Sequence, residues 1–140
     1  MRAASTALRV PTWSTPVKVN QTPSGTFTDQ AFEPAVHVNS NGVVAVTYYD
    51  FRNDISGDAM LTTDAWIDSS TDGGTTWTED HLAGPFDMHQ VPYARGYFVG
   101  DYQGLDSQGT AFRPLFALGS PSIGSFPNTN PTDLFINSAF

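Results

Sequence analysis

Residues Ser70–Trp77 read S-T-D-G-G-T-T-W. The Asp72 carboxylate is placed to accept hydrogen bonds from backbone N–H groups of its own turn, as Asx-type turns do. Gly73 and Gly74 supply backbone conformations that a side chain disfavours. A hydroxyl of Thr75 or Thr76 can return a further bond, and Trp77 leaves the turn to pack its ring against neighbouring strands. The octapeptide therefore reads as a self-satisfied hairpin turn whose carboxylate is occupied with structure.

The flanking segments have the alternation and composition of strands. Leu61–Ser70 enters the turn, and Trp77–Ala83 leaves it. Upstream, Val43–Phe51 (VVAVTYYDF) is rich in β-branched and aromatic residues, the signature of a strand buried on both faces. NSNG at Asn39–Gly42 is a hairpin signal, since Asn and Gly tolerate positive φ, and it joins Val43–Phe51 to Phe32–Val38 (FEPAVHV). Four consecutive antiparallel strands with short turns have the size and pattern of one propeller blade, here about residues 32–83. Trp13–Asn20 (WSTPVKVN) reads as an isolated strand at a sheet edge, because Pro16 lacks an N–H. Downstream, Pro85–Arg95 reads as an irregular connection. Tyr97–Tyr102 and Thr110–Leu118 read as strands separated by a GLDSQG turn. Gly119–Pro131 reads as an exposed loop and Asp133–Phe140 as a last strand. The chain thus divides into an outer strand (about 13–20), a complete blade (about 32–83) and a partial blade (about 97–140). Propellers close with about 4–8 blades, so an incomplete propeller spanning residues 1–140 is expected, completed by further blades of a parent chain or by an oligomer.

Composition narrows the function classes. The 140 residues carry a net charge of −8, and twelve of the fourteen acids are Asp. A nucleic-acid binder needs a basic footprint, and none is present. Only 14% of residues are charged, below the typical ~25% of soluble domains, so Ser, Thr, Asn and Gln must supply the polar surface. There is no cysteine, which removes disulfide and thiol chemistry. No stretch approaches the ~18 apolar residues of a membrane span. Met1–Val10 lacks the apolar core of a signal peptide.

The octapeptide resembles the Asp-box, or BNR repeat, whose pattern S-x-D-x-G-x-T-W is matched at Ser70, Asp72, Gly74, Thr76 and Trp77. The stretches FEPAVHVNSNGVVAVTYYDFRND, STDGGTTW, YARGYFVGDYQGL and NPTDLF are similar to the C-terminal part of secreted sialidase-like BNR-repeat proteins. The resemblance implies an all-β fold of sialidase-like propeller blades and an extracellular setting. It also implies a carbohydrate or glycoprotein partner and, in a full-length parent, exo-glycoside hydrolysis. A non-catalytic glycan- or protein-binding propeller, or purely structural blades, are the alternatives, because one fold hosts many functions. In this superfamily the Asp-box lies on the face away from the active site.

That placement sends the search for chemistry to the opposite end of the blade. Asp50 and Asp101, at strand ends, are the best-placed carboxylate pair for acid–base work on a glycosidic bond. Arg52 and Arg95 offer planar forks for an anionic or polyhydroxylated sugar, with ion pairing to Asp50, Asp54 or Asp101 as the alternative. Arg113 is a poorer third. Tyr49 and Tyr102, with Glu33, complete the candidate substrate contacts, and Tyr97 falls on the same connection. The chain alone is expected to lack glycosidase activity. Asp50, Asn53, Asp54 and Asp58 carry oxygens suited in type to calcium but lack an EF-hand's spacing. His37, His81 and His89 have no zinc-site spacing. No cofactor is expected.

Overall fold

The computed structural model describes residues 12–25, 28–119 and 132–137, which form an all-β protein of two antiparallel sheets. The first sheet is a meander of β1 (Ala31–Val38), β2 (Val44–Asp50), β3 (Thr62–Ser70) and β4 (Thr78–Asp87), hydrogen-bonded in that order. A single 3-10 turn, Met88–Gln90, follows. The second sheet is another meander, of β5 (Gly104–Gln108), β6 (Ala111–Gly119) and β7 (Thr132–Ile136). Closure into a propeller is not seen among these residues. None of their helices is long and apolar enough to cross a membrane.

Period-two alternation sorts the side chains of the first sheet. Ala45, Thr47 and Tyr49 of β2 pair with Ser69, Ile67 and Ala65 of β3 on the inner face. That face packs on Phe112 and Phe116 of β6, with Leu82, Phe86, Met88 and Val91 completing the core. Tyr49 is 1% exposed, and its hydroxyl both donates to the Ala117 carbonyl (2.6 Å) and accepts from the Ala117 N–H (3.0 Å). This pair of bonds joins the sheets through their apolar contact. Phe32 stacks on Tyr49 and Phe51, and Phe86 meets the Tyr49 ring edge-on.

The hairpin turns gather at one end. Asn39 Oδ1 accepts from Asn41 and Val43 N–H groups, and its Nδ2 donates to Thr110 O (2.8 Å). Ser40 N–H donates to Gly109 O (3.2 Å), so the β1–β2 turn docks on the β5–β6 turn. The β3–β4 turn lies at this same end, since antiparallel order alternates the ends of a meander. The start of β1, the β2–β3 loop and the chain after β4 lie at the other.

Several boundaries differ from the sequence reading for identifiable reasons. Residues 12–20 form no strand, and the two residues that follow are held by side chains of the sheet's outer face rather than by a ladder. Thr22 is fully buried and donates its hydroxyl to Asp50, and the Gln21 N–H donates to the Tyr48 hydroxyl (3.4 Å). Tyr97–Tyr102 is likewise not a strand. Arg95 at φ 66° closes a reversal in which Tyr93 and Tyr97 form one isolated bridge. GLDSQ, expected in a turn, is β5, paired in register from Gly104↔Leu115 to Gln108↔Ala111. Gly104 permits that approach, because a Cβ there would lie 3.2 Å from the Leu115 Cβ. β4 continues to Asp87, four residues beyond the expected stop at Ala83. The expected leaderless start Met1–Val10, most of the loop Gly119–Pro131 and the end of the last strand lie outside the described residues.

Tyr49→Phe removes the inter-sheet hydroxyl and leaves the Ala117 amide and carbonyl without that partner. Urea unfolding is expected to show a loss of about 1–3 kcal/mol with the m-value unchanged.

Candidate functional site

The turn at Ser70–Trp77 is closed by its own side chains. Asp72 Oδ1 accepts from the Ser70 hydroxyl (2.8 Å) and from the Thr75 and Thr76 N–H groups (both 2.9 Å). Its Oδ2 accepts from the Thr76 hydroxyl (2.6 Å). The Gly74 N–H donates to Ser70 Oγ (2.8 Å), and Trp77 Nε1 donates to Gly74 O (3.1 Å). Gly73 and Gly74 have φ of 74° and 91°, which a side chain disfavours. These bonds, first that from the Thr76 hydroxyl, hold the Asp72 carboxyl down at about 2. The carboxylate is fully engaged in structure.

On the outer face of the first sheet the charged residues form one network. Asp50 of β2 is 0% exposed and accepts from the Thr22 hydroxyl, Arg52 Nε (2.6 Å) and Trp66 Nε1 (2.9 Å). Arg52 runs back across the sheet, its guanidinium 4.0 Å from the centre of the Trp66 ring. It donates through Nη1 to Glu79 Oε2 (2.6 Å) and through Nη2 to Glu79 Oε1 (2.8 Å) and the Tyr48 hydroxyl (3.1 Å). Burial opposes the Arg52 charge, but Glu79 and Asp50 overcome it and raise its proton affinity. Glu79 is held below the ordinary carboxylate range by Arg52 and Tyr48, against its own desolvation. Asp50 and Arg52, candidates for catalysis and substrate binding, therefore sit together in an ion-paired scaffold. The Asp50 pairing is the alternative considered for Arg52 in the sequence. The Glu79 pairing was missed, although parity could have found it: Tyr48, Trp66 and Glu79 share one face of adjacent strands.

Asp68 lies within this network without a hydrogen bond. It is 0% exposed and both oxygens lack a partner. The one proton of the Tyr48 hydroxyl is directed to Glu79, which leaves none for Asp68. Desolvation, with Glu79 and Asp80 adding repulsion, pushes the Asp68 carboxyl up to about 6 against the attraction of Arg52.

At the end opposite the hairpin turns lies a cleft of about 500 Å³ lined by Asp29, Phe32, Glu33, Phe51, Met88 and Tyr97 among others. A β-bulge shapes its wall. Phe32 and Ala35 of β1 oppose Tyr49 and Thr47 of β2, so β1 holds one extra residue there, with Glu33 at φ 49°. A non-glycine residue in this region is held by its surroundings, a condition common at functional sites. Burial, and then the Asp101 carboxylate, raise Glu33 to about 7. The Asp101 carboxylate thus bears on Glu33, whereas Asp50 sits in a different environment, bound to Thr22, Arg52 and Trp66.

The remaining candidates separate. Tyr49 is committed to Ala117, and burial raises its hydroxyl well above its ordinary value. Tyr102 is 91% exposed on the connection before β5. Arg95 is exposed in the Tyr93–Tyr97 reversal and does not line the cleft. Arg113 donates to Gln108 at the β5–β6 hairpin. Phe32, Phe51 and Asp29 were not singled out by sequence, since only the bulge and the sheet ends bring them together. Tyr97 also meets the His89 ring at 4.9 Å and the Tyr93 ring at 5.7 Å, both edge-on. Among the described residues no group of three or more His, Asp or Glu side chains is arranged to hold a metal ion.

Removing Arg52 leaves Asp50 of β2 and Glu79 of β4 without their shared cation. Arg52→Ala is expected to lower stability by about 2–4 kcal/mol in urea unfolding, and Arg52→Lys, lacking the fork, to restore only part of it. Asp68 has the opposite sign. Its folded-state proton affinity is raised, so its ionised form is penalised above pH ~6 and the penalty fades as pH falls toward 4. Asp68→Asn is expected to gain about 1 kcal/mol at pH 7.5 and little at pH 4.5, read from paired thermal melts. Searches of protein-family models, curated proteins and solved structures return no match for this chain.

Proposed function

We propose that the chain is a carbohydrate-directed segment of a sialidase-like β-propeller, with its glycan site in the cleft beside Glu33. The observation that carries this reading is the pairing of aromatic rings with a carboxyl group in one concave site. Phe32, Phe51 and Tyr97 offer apolar faces, and Glu33 offers a polar group to fix orientation. The cleft's position at the end away from the Ser70–Trp77 turn supports the same reading, as does the meander of the first sheet, which has the strand order of a blade.

The propeller part of the reading draws on the outer faces of the two sheets. Val36 and Val38 of β1 are 68% and 53% exposed, and Leu134 and Ile136 of β7 are 75% and 64% exposed. Apolar sheet faces of this kind are suited to cover by neighbouring blades. The setting proposed for such a protein is extracellular.

A hydrolytic role is the second reading, favoured by one observation: Glu33 is held near pH 7 beside a second carboxylate, the poise that suits a general acid. Without turnover, the same cleft serves glycan binding alone.

Glycan-array screening followed by calorimetry tests the site. Tyr97→Ala and Glu33→Gln are each expected to weaken the best glycan by about tenfold or more while leaving the melting temperature within about 2 °C. Wild-type affinity in both variants would remove the cleft from consideration. Fluorogenic glycosides test hydrolysis separately, with turnover abolished in Glu33→Gln as the hydrolytic outcome.

A further inference from the structure

Among the described residues, the cleft beside Glu33 is lined by carboxyl groups and by no cationic side chain. Asp29 and Glu33 line it, and the Asp101 carboxylate acts on Glu33. The described basic side chains are placed elsewhere. Lys18 donates to Thr22 O and Ser24 Oγ. Arg52 is bound to Asp50 and Glu79 on the outer sheet face. Arg113 is bound to Gln108, and Arg95 does not line the cleft. His89, whose ring meets Tyr97, has its Nδ1 3.1 Å from Asp87. Burial and then the Asp101 carboxylate both raise the Glu33 carboxyl.

We infer that this cleft takes sugars without negative charge and rejects sialic and uronic acids. The inference rests on the glycan reading of the same cleft and narrows its ligand class. Ionised carboxylates only accept hydrogen bonds. Sugar hydroxyls, or an amine, supply the matching donors to Glu33 and Asp29, while a ring face packs on Tyr97 or Phe51. An acidic sugar brings a further carboxylate, and the lining residues offer it the neutral donors of Gln30 and Tyr97 but no cation. The rejection is therefore a repulsive element built into the site. The net charge of −8 adds to it at longer range. An arginine cluster is the usual answer to a sugar carboxylate, and Arg52, the residue best placed for that role in the sequence, is committed to the scaffold.

Calorimetry of the full chain at pH 7.5 and low salt, against neutral hexose and N-acetylhexosamine oligosaccharides and their sialylated and uronic-acid counterparts, tests the inference. The neutral member of each pair is expected to bind at least about tenfold tighter. The ratio is expected to shrink in 1 M NaCl, where screening is short-ranged, and in the Glu33→Gln/Asp101→Asn double variant. Acidic members binding as tightly as neutral ones to the wild type would overturn the inference and leave the glycan reading standing. Failure of every sugar in the panel to bind would instead overturn the glycan reading, and the inference with it. If the double variant does not fold, the salt dependence of the wild-type ratio decides alone.

Discussion

The Arg52 guanidinium ties together parts of the chain that no backbone ladder joins. From the loop after β2 it crosses the Trp66 ring of β3 and reaches Glu79 of β4, while its Nε holds Asp50. Asp50 in turn accepts the Thr22 hydroxyl and so fastens the segment before β1 over the same face. Burying two carboxylates and a guanidinium is costly unless each charge meets its complement with good geometry. Here the fork, the indole N–H and two hydroxyls supply those complements, and the outer face is fixed without an apolar core of its own. The inner face is built on the opposite plan: an aromatic and aliphatic contact crossed by one buried hydroxyl, that of Tyr49.

These two plans explain why the chemistry left for a ligand is at the end of the sheets. Side chains in mid-sheet are consumed by the network or by the core. The end near Glu33 is where the bulge interrupts pairing, the β2–β3 loop departs and the segment after β4 turns away. The Glu33 carboxyl there is half-buried and feels the Asp101 carboxylate, so its proton affinity rises rather than falls. Asp72 and Glu33 show the contrast within one chain. One carboxylate is surrounded by donors and held near pH 2, whereas the other is raised to about pH 7.

Much of the first sheet was legible in the sequence because its signals are local. The NSNG turn, the STDGGTTW turn and the β-branched run at Val43–Phe51 each carry their own conformational reasons, and the four strands follow from them. The segment Trp13–Asn20 misled because strand-like alternation also suits an extended chain lying on a sheet. GLDSQG misled because glycines that look like turn residues instead allow close strand approach at Gly104. The charged network was only half legible. Asp50 and Arg52 are two residues apart and visible as a pair, but Glu79 joins them only through the register of three strands. The cleft depends on a bulge, and an extra residue in a strand has no marker in composition.

The bulge at Glu33 also separates the two ends of β1. Because the extra residue lies between Phe32 and Ala35, both of those residues face inward although they are three positions apart. A strand without it would invert every side chain on one side of the break. The site end and the hairpin end of β1 are thus independently phased, like two gear trains joined through a one-tooth offset. Changes in length around Glu33–Pro34 would rephase Val36, His37 and Val38 against β2, while substitutions there leave that phasing intact. Variation in the cleft is therefore open to residue identity and closed to residue number, which confines the ways this wall can diversify.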